Sequence, residues 1–275
     1  MLLGIDIGGT TINMGLVKGS DIVSKKTVPS FEKEWTKQQT LDYLCEQING
    51  IISPEVEHIG IGVPTLVDPA KGIAYQAANI PSWDEVNIKE AVQKRFGVPV
   101  SVNNDSNCFA LGAAAMLGAG ERIIVGITLG TGLGTGVIVD GKLLDGTHCG
   151  VGEIGSLPYN GHDYEEFCSK KFFTSHNLDG KAAADKADEG DPAMVELHNE
   201  FGRHLGEFLA VVMYAYDADC IIIGGGVANS YRHFEKSMKE TLAARYPYTK
   251  GLESLRIEVL PQGDIPVLGA SKLTN

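Results

Sequence analysis

The residues best placed for chemistry lie in Val102-Asn103-Asn104-Asp105-Ser106-Asn107, where an apolar, strand-like run over 98–102 gives way to polar residues that open an apolar helix. A carboxylate where a strand passes into a helix is held by a rigid element and exposed by a loop, as a base or ligand-binding group must be. Asp105 could equally cap the helix predicted over 106–117, and this stretch does not choose between the two roles. Two glycine-rich turns bear on the choice. Gly8-Gly9-Thr10 follows a short apolar strand that ends near Asp6, and Gly130-Thr131-Gly132-Leu133-Gly134 follows a second such strand. Neither has the Gly-Lys-Ser/Thr of a Walker loop or the Gly-x-Gly-x-x-Gly of a dinucleotide fold, and each alone also reads as a plain hairpin turn. A third cluster, Gly224-Gly225-Gly226, ends the apolar strand 219–223 and precedes a helix over 231–244. Glycines there let backbone approach a flat or charged ligand closely, with a helix N-terminus nearby. Gly152-Glu153-Ile154-Gly155-Ser156 is a further glycine-dense loop with a lone carboxylate, followed by Glu165 and Glu166.

These residues need a scaffold, and the chain repeats one. Gly4-Ile5-Asp6-Ile7-Gly8 lies over Gly126-Ile127-Thr128-Leu129-Gly130, and Gly15-Leu16-Val17 over Gly136-Val137-Ile138 after a one-residue gap. Strands 2–7, 11–17 and 21–28 form a β-meander with its tight turn at the glycines. Two copies of strand, glycine turn and strand predict two related α/β domains facing one another across a ligand-binding cleft. Between them, residues 37–52 carry apolar side chains at helical spacing and 58–63 read as a buried strand ending at Pro64. Asn79 and Trp83 fall in a loop before a helix over 87–96, where they could be surface residues without a role. Residues 198–216 predict a long helix whose aromatics are core, 255–260 a last strand and 265–273 a terminal helix.

Bulk composition narrows the function classes. The chain has 275 residues, 43% hydrophobic, enough for one large or two moderate domains. No run approaches the ~18 apolar residues of a membrane span and no leader precedes the first strand, so a cytoplasmic protein with no membrane partner is expected. A net charge of −12 argues against nucleic acid as partner. It also predicts that any polyphosphate is held by backbone N–H groups and a divalent cation rather than by a basic pocket. Five scattered cysteines with no Cys-x-x-Cys pair fit reduced, mostly buried thiols.

Taken together, Gly4-Ile5-Asp6-Ile7-Gly8-Gly9-Thr10-Thr11, Val102-Asn103-Asn104-Asp105-Ser106-Asn107, Gly130-Thr131-Gly132-Leu133-Gly134, Gly152-Glu153-Ile154-Gly155 and Ile223-Gly224-Gly225-Gly226-Val227 resemble the ROK family of sugar kinases and repressors over essentially the whole chain. The resemblance implies two actin/hexokinase-type (ribonuclease H-like) α/β domains around a central cleft: a small one over 1–106 completed by 264–275, and a large one over 107–263. It implies a magnesium- and ATP-dependent hexose kinase, glucose by default and an N-acetylhexosamine or other hexose next. Gly8, Gly9, Thr10 and Thr11 with Thr128, Gly130, Thr131 and Gly132 would bind the ATP phosphates, and Gly224, Gly225 and Gly226 would lie against adenosine. Asp105 would be the general base, Asp6 the magnesium-side carboxylate acting through water, and Asn79, Asn104, Asp105, Glu153, Ser156 and Glu165 the sugar ligands. A homodimer is implied as well.

Two positions depart from the family. Gly-Glu-Ile-Gly-His is Gly-Glu-Ile-Gly-Ser here, ending at Ser156, and residues 157–164 replace the Cys-x-Cys-Gly-x-x-Gly-Cys cluster that holds a structural zinc. His148, Cys149, His162 and Cys168 have no standard zinc spacing, so no zinc site is expected. The repressor branch carries a DNA-binding segment ahead of the first meander, which here starts at residue 2, so that role is not expected. A non-catalytic sugar-binding regulator is the competing class. Cluster-bridging ATPases that activate radical enzymes are disfavoured by the lack of paired cysteines.

Overall fold

Alternating burial along 2–29 sets the first sheet. In the structure, a computed structural model describing residues 1–77, 79–146, 149–261 and 263–273, β1 (Leu2–Ile7), β2 (Thr11–Lys18) and β3 (Asp21–Pro29) pair antiparallel, with Ile7 opposite Ile12 across the glycine turn. Helix α1 (Lys37–Asn49) opens on a Thr36–Gln39 capping box and buries Leu44 and Ile48 against this sheet's core. β4 (His58–Val63) then runs parallel to β1. Next come β5 (Leu66–Asp68), β6 (Ile73–Tyr75) and β7 (Glu85–Asn87), a small separate antiparallel sheet not expected from the sequence. After α2 (Ile88–Phe96), β8 (Val100–Asn104) pairs parallel with β4 and leads directly into α3 (Asp105–Leu117). The sheet order is β3-β2-β1-β4-β8.

The terminal helix, Ile265–Ser271, packs on β1, β4 and α3 with backbone nearly touching backbone. A Cβ on Gly60 would lie 1.8 Å from the Ala270 carbonyl oxygen, so only glycine fits that position of β4. Gly60→Ala should therefore destabilise the fold by about 1–3 kcal/mol or more, read as a lower denaturant midpoint at unchanged slope. An unchanged midpoint would mean that the terminal helix is free to shift.

The second sheet repeats the first. β9 (Ile123–Leu129), β10 (Leu133–Val139) and β11 (Lys142–Leu143) form a meander. The hairpin β12 (Pro158–Tyr159) and β13 (His162–Asp163) follows, and then β14 (Cys220–Gly224) and β15 (Arg256–Val259) add parallel to β9. The order β11-β10-β9-β14-β15 is that of the first sheet, strand for strand. The repeated glycines explain themselves: Gly4 faces Gly15 across β1 and β2, and Gly126 faces Gly136 across β9 and β10. The helical layer consists of α4 (Tyr164–Cys168), α5 (Lys170–Ser175), α6 (Gly180–Asp188), α7 (Pro192–Tyr216) and α8 (Tyr231–Arg245). Helix α7 starts earlier than expected, with Asp191 as cap and Pro192 in its first turn. Its Phe201, Leu205, Phe208 and Leu209 are fully buried core, as its spacing predicts.

The described chain divides into two units, one within Met1–Ala119, Leu143–Val151 and Gly263–Asn275, the other within Gly120–Lys142 and Gly152–Gln262. The boundary falls after α3, not at 106/107, because α3 packs on the terminal helix and so stays with the first unit. No helix among the described residues is long and apolar enough to cross a membrane.

Candidate functional site

In the first unit, three parallel strands deliver the candidate residues to their carboxyl ends. Asp6 of β1 is in register with Gly62 of β4, and Gly62 with Asn103 of β8. Gly62 leaves room between them: a Cβ there would lie 3.0 Å from Cys108 Sγ and 3.6 Å from Asp105 Cα. Burial pushes the Asp6 carboxyl up to about 6, against the opposing effect of a hydrogen bond from Asn13. The Cys108 thiol is pushed well above its ordinary value, first by burial and then by the nearby Asp6 and Asp105 charges.

Asp105 is not the cap of α3. Asn104 takes that role, its Oδ1 accepting the Ser106 N–H at 2.8 Å while its Nδ2 donates to the Thr65 carbonyl at 3.1 Å. Asp105 is thereby left in the first helical turn, half-buried, with Ser106 Oγ donating to Oδ1 at 3.3 Å. Asn103, which the sequence reading did not single out, braces this corner. Its Oδ1 accepts from the Asn104 N–H and from Asn107 Nδ2, both at 2.8 Å.

The first glycine turn is closed by Gly8 N–H donating to the Thr11 carbonyl at 2.9 Å and by Ser30 Oγ donating to the Gly8 carbonyl at 2.8 Å. Gly9 and Thr10 are exposed on it, and Thr11 is half-buried at the start of β2. Asn79 reaches this turn from the segment between β6 and β7, its Nδ2 lying 3.5 Å from where a Gly9 Cβ would be. Trp83 of the same segment is no surface residue: it is 1% exposed, and its Nε1 donates to Thr40 Oγ1 at 2.8 Å. The segment carrying Asn79 is thus anchored in the core.

In the second unit the matching turn closes through Gly130 N–H donating to the Gly132 carbonyl at 3.0 Å, and the Lys170 N–H donates to the Gly130 carbonyl at 2.9 Å. Glu165 is fastened to this turn. Its Oε2 accepts the Leu133 N–H at 3.1 Å and its Oε1 the Lys171 ammonium at 2.6 Å. A Cβ on Gly132 would meet Glu165 Oε2 at 2.4 Å, so a side chain there would push the Glu165 carboxylate off the turn. Thr128 is half-buried on β9, beside the turn. Glu153 and Ser156 are exposed on the short 3-10 turn Glu153–Ser156, and the Glu153 carboxyl is raised by desolvation first and by Glu165 second.

The third cluster also belongs to this unit. Gly225 has φ +94°, and a Cβ on it would lie 2.4 Å from the Leu129 carbonyl oxygen, so the ends of β14 and β9 meet closely. Gly224 is buried behind it, and Gly226 is open to solvent. Gly130, Thr131 and Gly226 line a cavity of about 550 Å³ together with Lys170, Lys181 and Arg232. Asp179 and Asp185 line it too, so α5, α6 and α8 and the residue capping α6 bring three basic and two acidic side chains to this cavity.

Residues 157–164, which replace the family's cysteine cluster, form the β12–β13 hairpin and the start of α4. Tyr159 stacks on Tyr164 with ring centroids 4.2 Å apart, its hydroxyl lies 2.9 Å from His204 Nδ1, and Phe167 packs on the His204 ring at 4.8 Å. Among the described residues no group of three or more His, Cys, Asp or Glu could hold a metal ion, and His148 lies outside them.

The duplicated sheet, with glycine turns and carboxylates at the ends of its strands, defines the actin/hexokinase class of α/β fold. Within that class the chain belongs to the ROK family, whose pattern it matches over residues 2–274. It is 28% identical over 262 residues to a glucokinase of Thermotoga maritima, covering 83% of each chain. It superposes on a ROK family glucokinase from Streptomyces griseus solved with glucose and AMPPNP at a TM-score of 0.80, with 27% identity and 99% and 98% coverage. The ROK hexokinase of Thermus thermophilus gives a TM-score of 0.82 at 27% identity, with 98% and 96% coverage.

Proposed function

We propose that the protein is an ATP-dependent hexose kinase, with glucose the first substrate to test. The observation that carries this reading is the position of Asp105: Asn104 caps α3, and Asp105 stands in its first turn at the ends of the strands that also carry Asp6. In the reaction Asp105 accepts the proton of a sugar hydroxyl as that oxygen attacks the γ-phosphorus, and ADP leaves with the bridging electrons. Asn79, Asn104, Glu153, Ser156 and Glu165 hold the other hydroxyls. Glu165 keeps spare lone pairs for this beyond those given to Leu133 and Lys171. Gly8 to Thr11, Thr128 and Gly130 to Gly132 cradle the phosphates with backbone and hydroxyl donors, and Gly224 to Gly226 border the adenosine.

Magnesium, when bound, neutralises charge on the transferring phosphoryl group. A cation that keeps most of its waters needs only one or two carboxylates, and Asp6, desolvated and hydrogen-bonded by the neutral Asn13, suits it. A homodimer of the 29.4 kDa chain and a cytoplasmic setting, where ATP is made, belong to the same reading.

The test is ADP release from Mg-ATP against a panel of hexoses, hexosamines and their N-acetyl forms. Release that depends on one of these sugars is expected. Ser156 in place of the family's histidine is the reason to include the N-acetylated sugars, since it removes a ring from the sugar side. Sugar binding with no turnover on any of them would make the protein a regulator rather than an enzyme.

A further inference from the structure

We propose that Lys170 and Lys181 are donor-binding residues that neutralise the phosphates of the nucleotide, a role that rests on the reading of the cavity beside Gly130 as the ATP site. Neither glycine turn carries a basic residue of its own, and the chain as a whole has a net charge of −12. A polyphosphate approaching such a protein needs local positive charge, and the cavity supplies it.

The position of Lys170 is fixed by its own backbone. Its N–H donates to the Gly130 carbonyl, so the first residue of α5 is tied to the turn, and its exposed side chain lines the same cavity as Gly130 and Thr131. Lys181 lines that cavity from the first turn of α6, where its own N–H is taken by the capping Asp179 at 3.1 Å. A lysine in the first turn of a helix opposes the helix dipole, so local stability does not explain its placement. A bound anion does.

Three of the other charges near the cavity already have partners. Lys171 is held by Glu165, and Arg232 by Asp188 through Nε at 3.0 Å. Asp179 is committed to capping, accepting from Lys181 and Ala182 N–H groups. Among the described residues neither Lys170 nor Lys181 forms an ion pair, so these two ammonium groups are the cavity's uncommitted positive charge, set against the single carboxylate of Asp185. An alternative in which they only keep the surface soluble would leave the affinities for ADP and ATP unchanged when either charge is removed.

The experiment is calorimetric titration of adenosine, AMP, ADP and ATP into wild type, Lys170→Met, Lys181→Met and the double variant, at low and at high salt. Methionine keeps the apolar stem and removes the charge. Each substitution should weaken ADP and ATP by about tenfold at low salt, less at high salt, while adenosine binding changes less than about twofold. Lys170→Arg should restore the affinity for ATP. Equal losses for all four ligands would mean that the lysines shape the cavity rather than meet phosphate, and no loss for any would mean that they are surface charge; either overturns the proposal. Failure of wild type to bind any of the four would instead overturn the donor site itself, and the lysine role with it.

Discussion

Asp105→Asn should lower kcat by about 10²–10⁴-fold, the usual contribution of a general base, while the sugar still binds within a few-fold of wild-type affinity. The amide keeps the size and hydrogen-bonding reach of the carboxylate but accepts no proton. It should also leave stability nearly unchanged, because the helix cap is Asn104 and the turn is braced by Asn103. Steady-state turnover, direct sugar binding and a denaturant midpoint on the same preparation separate these effects. Near wild-type turnover would remove Asp105 from the chemistry. A large loss of midpoint would mean that its contribution is structural. Asn104→Ala makes the converse comparison, with an expected stability loss of about 1 kcal/mol from the missing cap.

Asp6 gives the second large effect, with opposite signs for activity and stability. Its carboxyl titrates near 6 in the folded chain against an ordinary 3.8. Below the unfolded value the group is protonated in both states, and its contribution to stability is fully present. As pH rises through the folded value that contribution is lost, because ionisation is then harder in the folded chain than in the unfolded one. At pH 7 the ionised Asp6 therefore costs stability, up to about 3 kcal/mol from a shift of this size. Asp6→Asn should raise the urea midpoint at pH 7 without magnesium and change it little at pH 3.5. The same substitution should cut turnover by about 10²-fold or more and raise the magnesium needed for half-maximal rate, as loss of a charged group acting on the transition state does. At limiting magnesium, wild-type activity should fall as pH drops toward and below about 6, since protons then compete with the cation for Asp6. If turnover and magnesium dependence both survive in Asp6→Asn, the carboxylate has no part in metal binding.

What could be read from sequence was whatever is encoded in short, regular patterns. The glycine repeats were visible because each sheet needs the same pair of close-facing positions, Gly4 with Gly15 and Gly126 with Gly136. Asp105 stood out because polarity changes abruptly where β8 ends. The residue beside it shows the limit, since asparagine and aspartate cap helices about equally well and only the hydrogen bond from Ser106 distinguishes them. The sheet of β5, β6 and β7 was missed because three-residue strands are too short to show alternation. Helix α6 was missed because its buried face is only Ala183, Ala184 and Ala187, which contrast weakly with solvent-facing neighbours. Trp83 looked like a loop residue because its partner, Thr40, is 43 positions away. The cations of the cavity were invisible for a different reason: net charge is a sum, and a sum says nothing of where Lys170, Lys181 and Arg232 meet.

The hairpin of residues 157–164 changes what the second unit demands of its surroundings. Its fastening is a set of rings, Tyr159 on Tyr164 and Phe167 on His204, closed by one phenol–imidazole hydrogen bond, and no residue of the hairpin is a cysteine. Such a joint is complete as soon as the polypeptide folds. A peroxide burst finds no thiolate within residues 157–164 to oxidise. Where the family pattern sets cysteines, this chain sets ring contacts, strand pairing and one side-chain hydrogen bond, so the order of this loop is written in packing that a single Tyr159→Ala substitution would open.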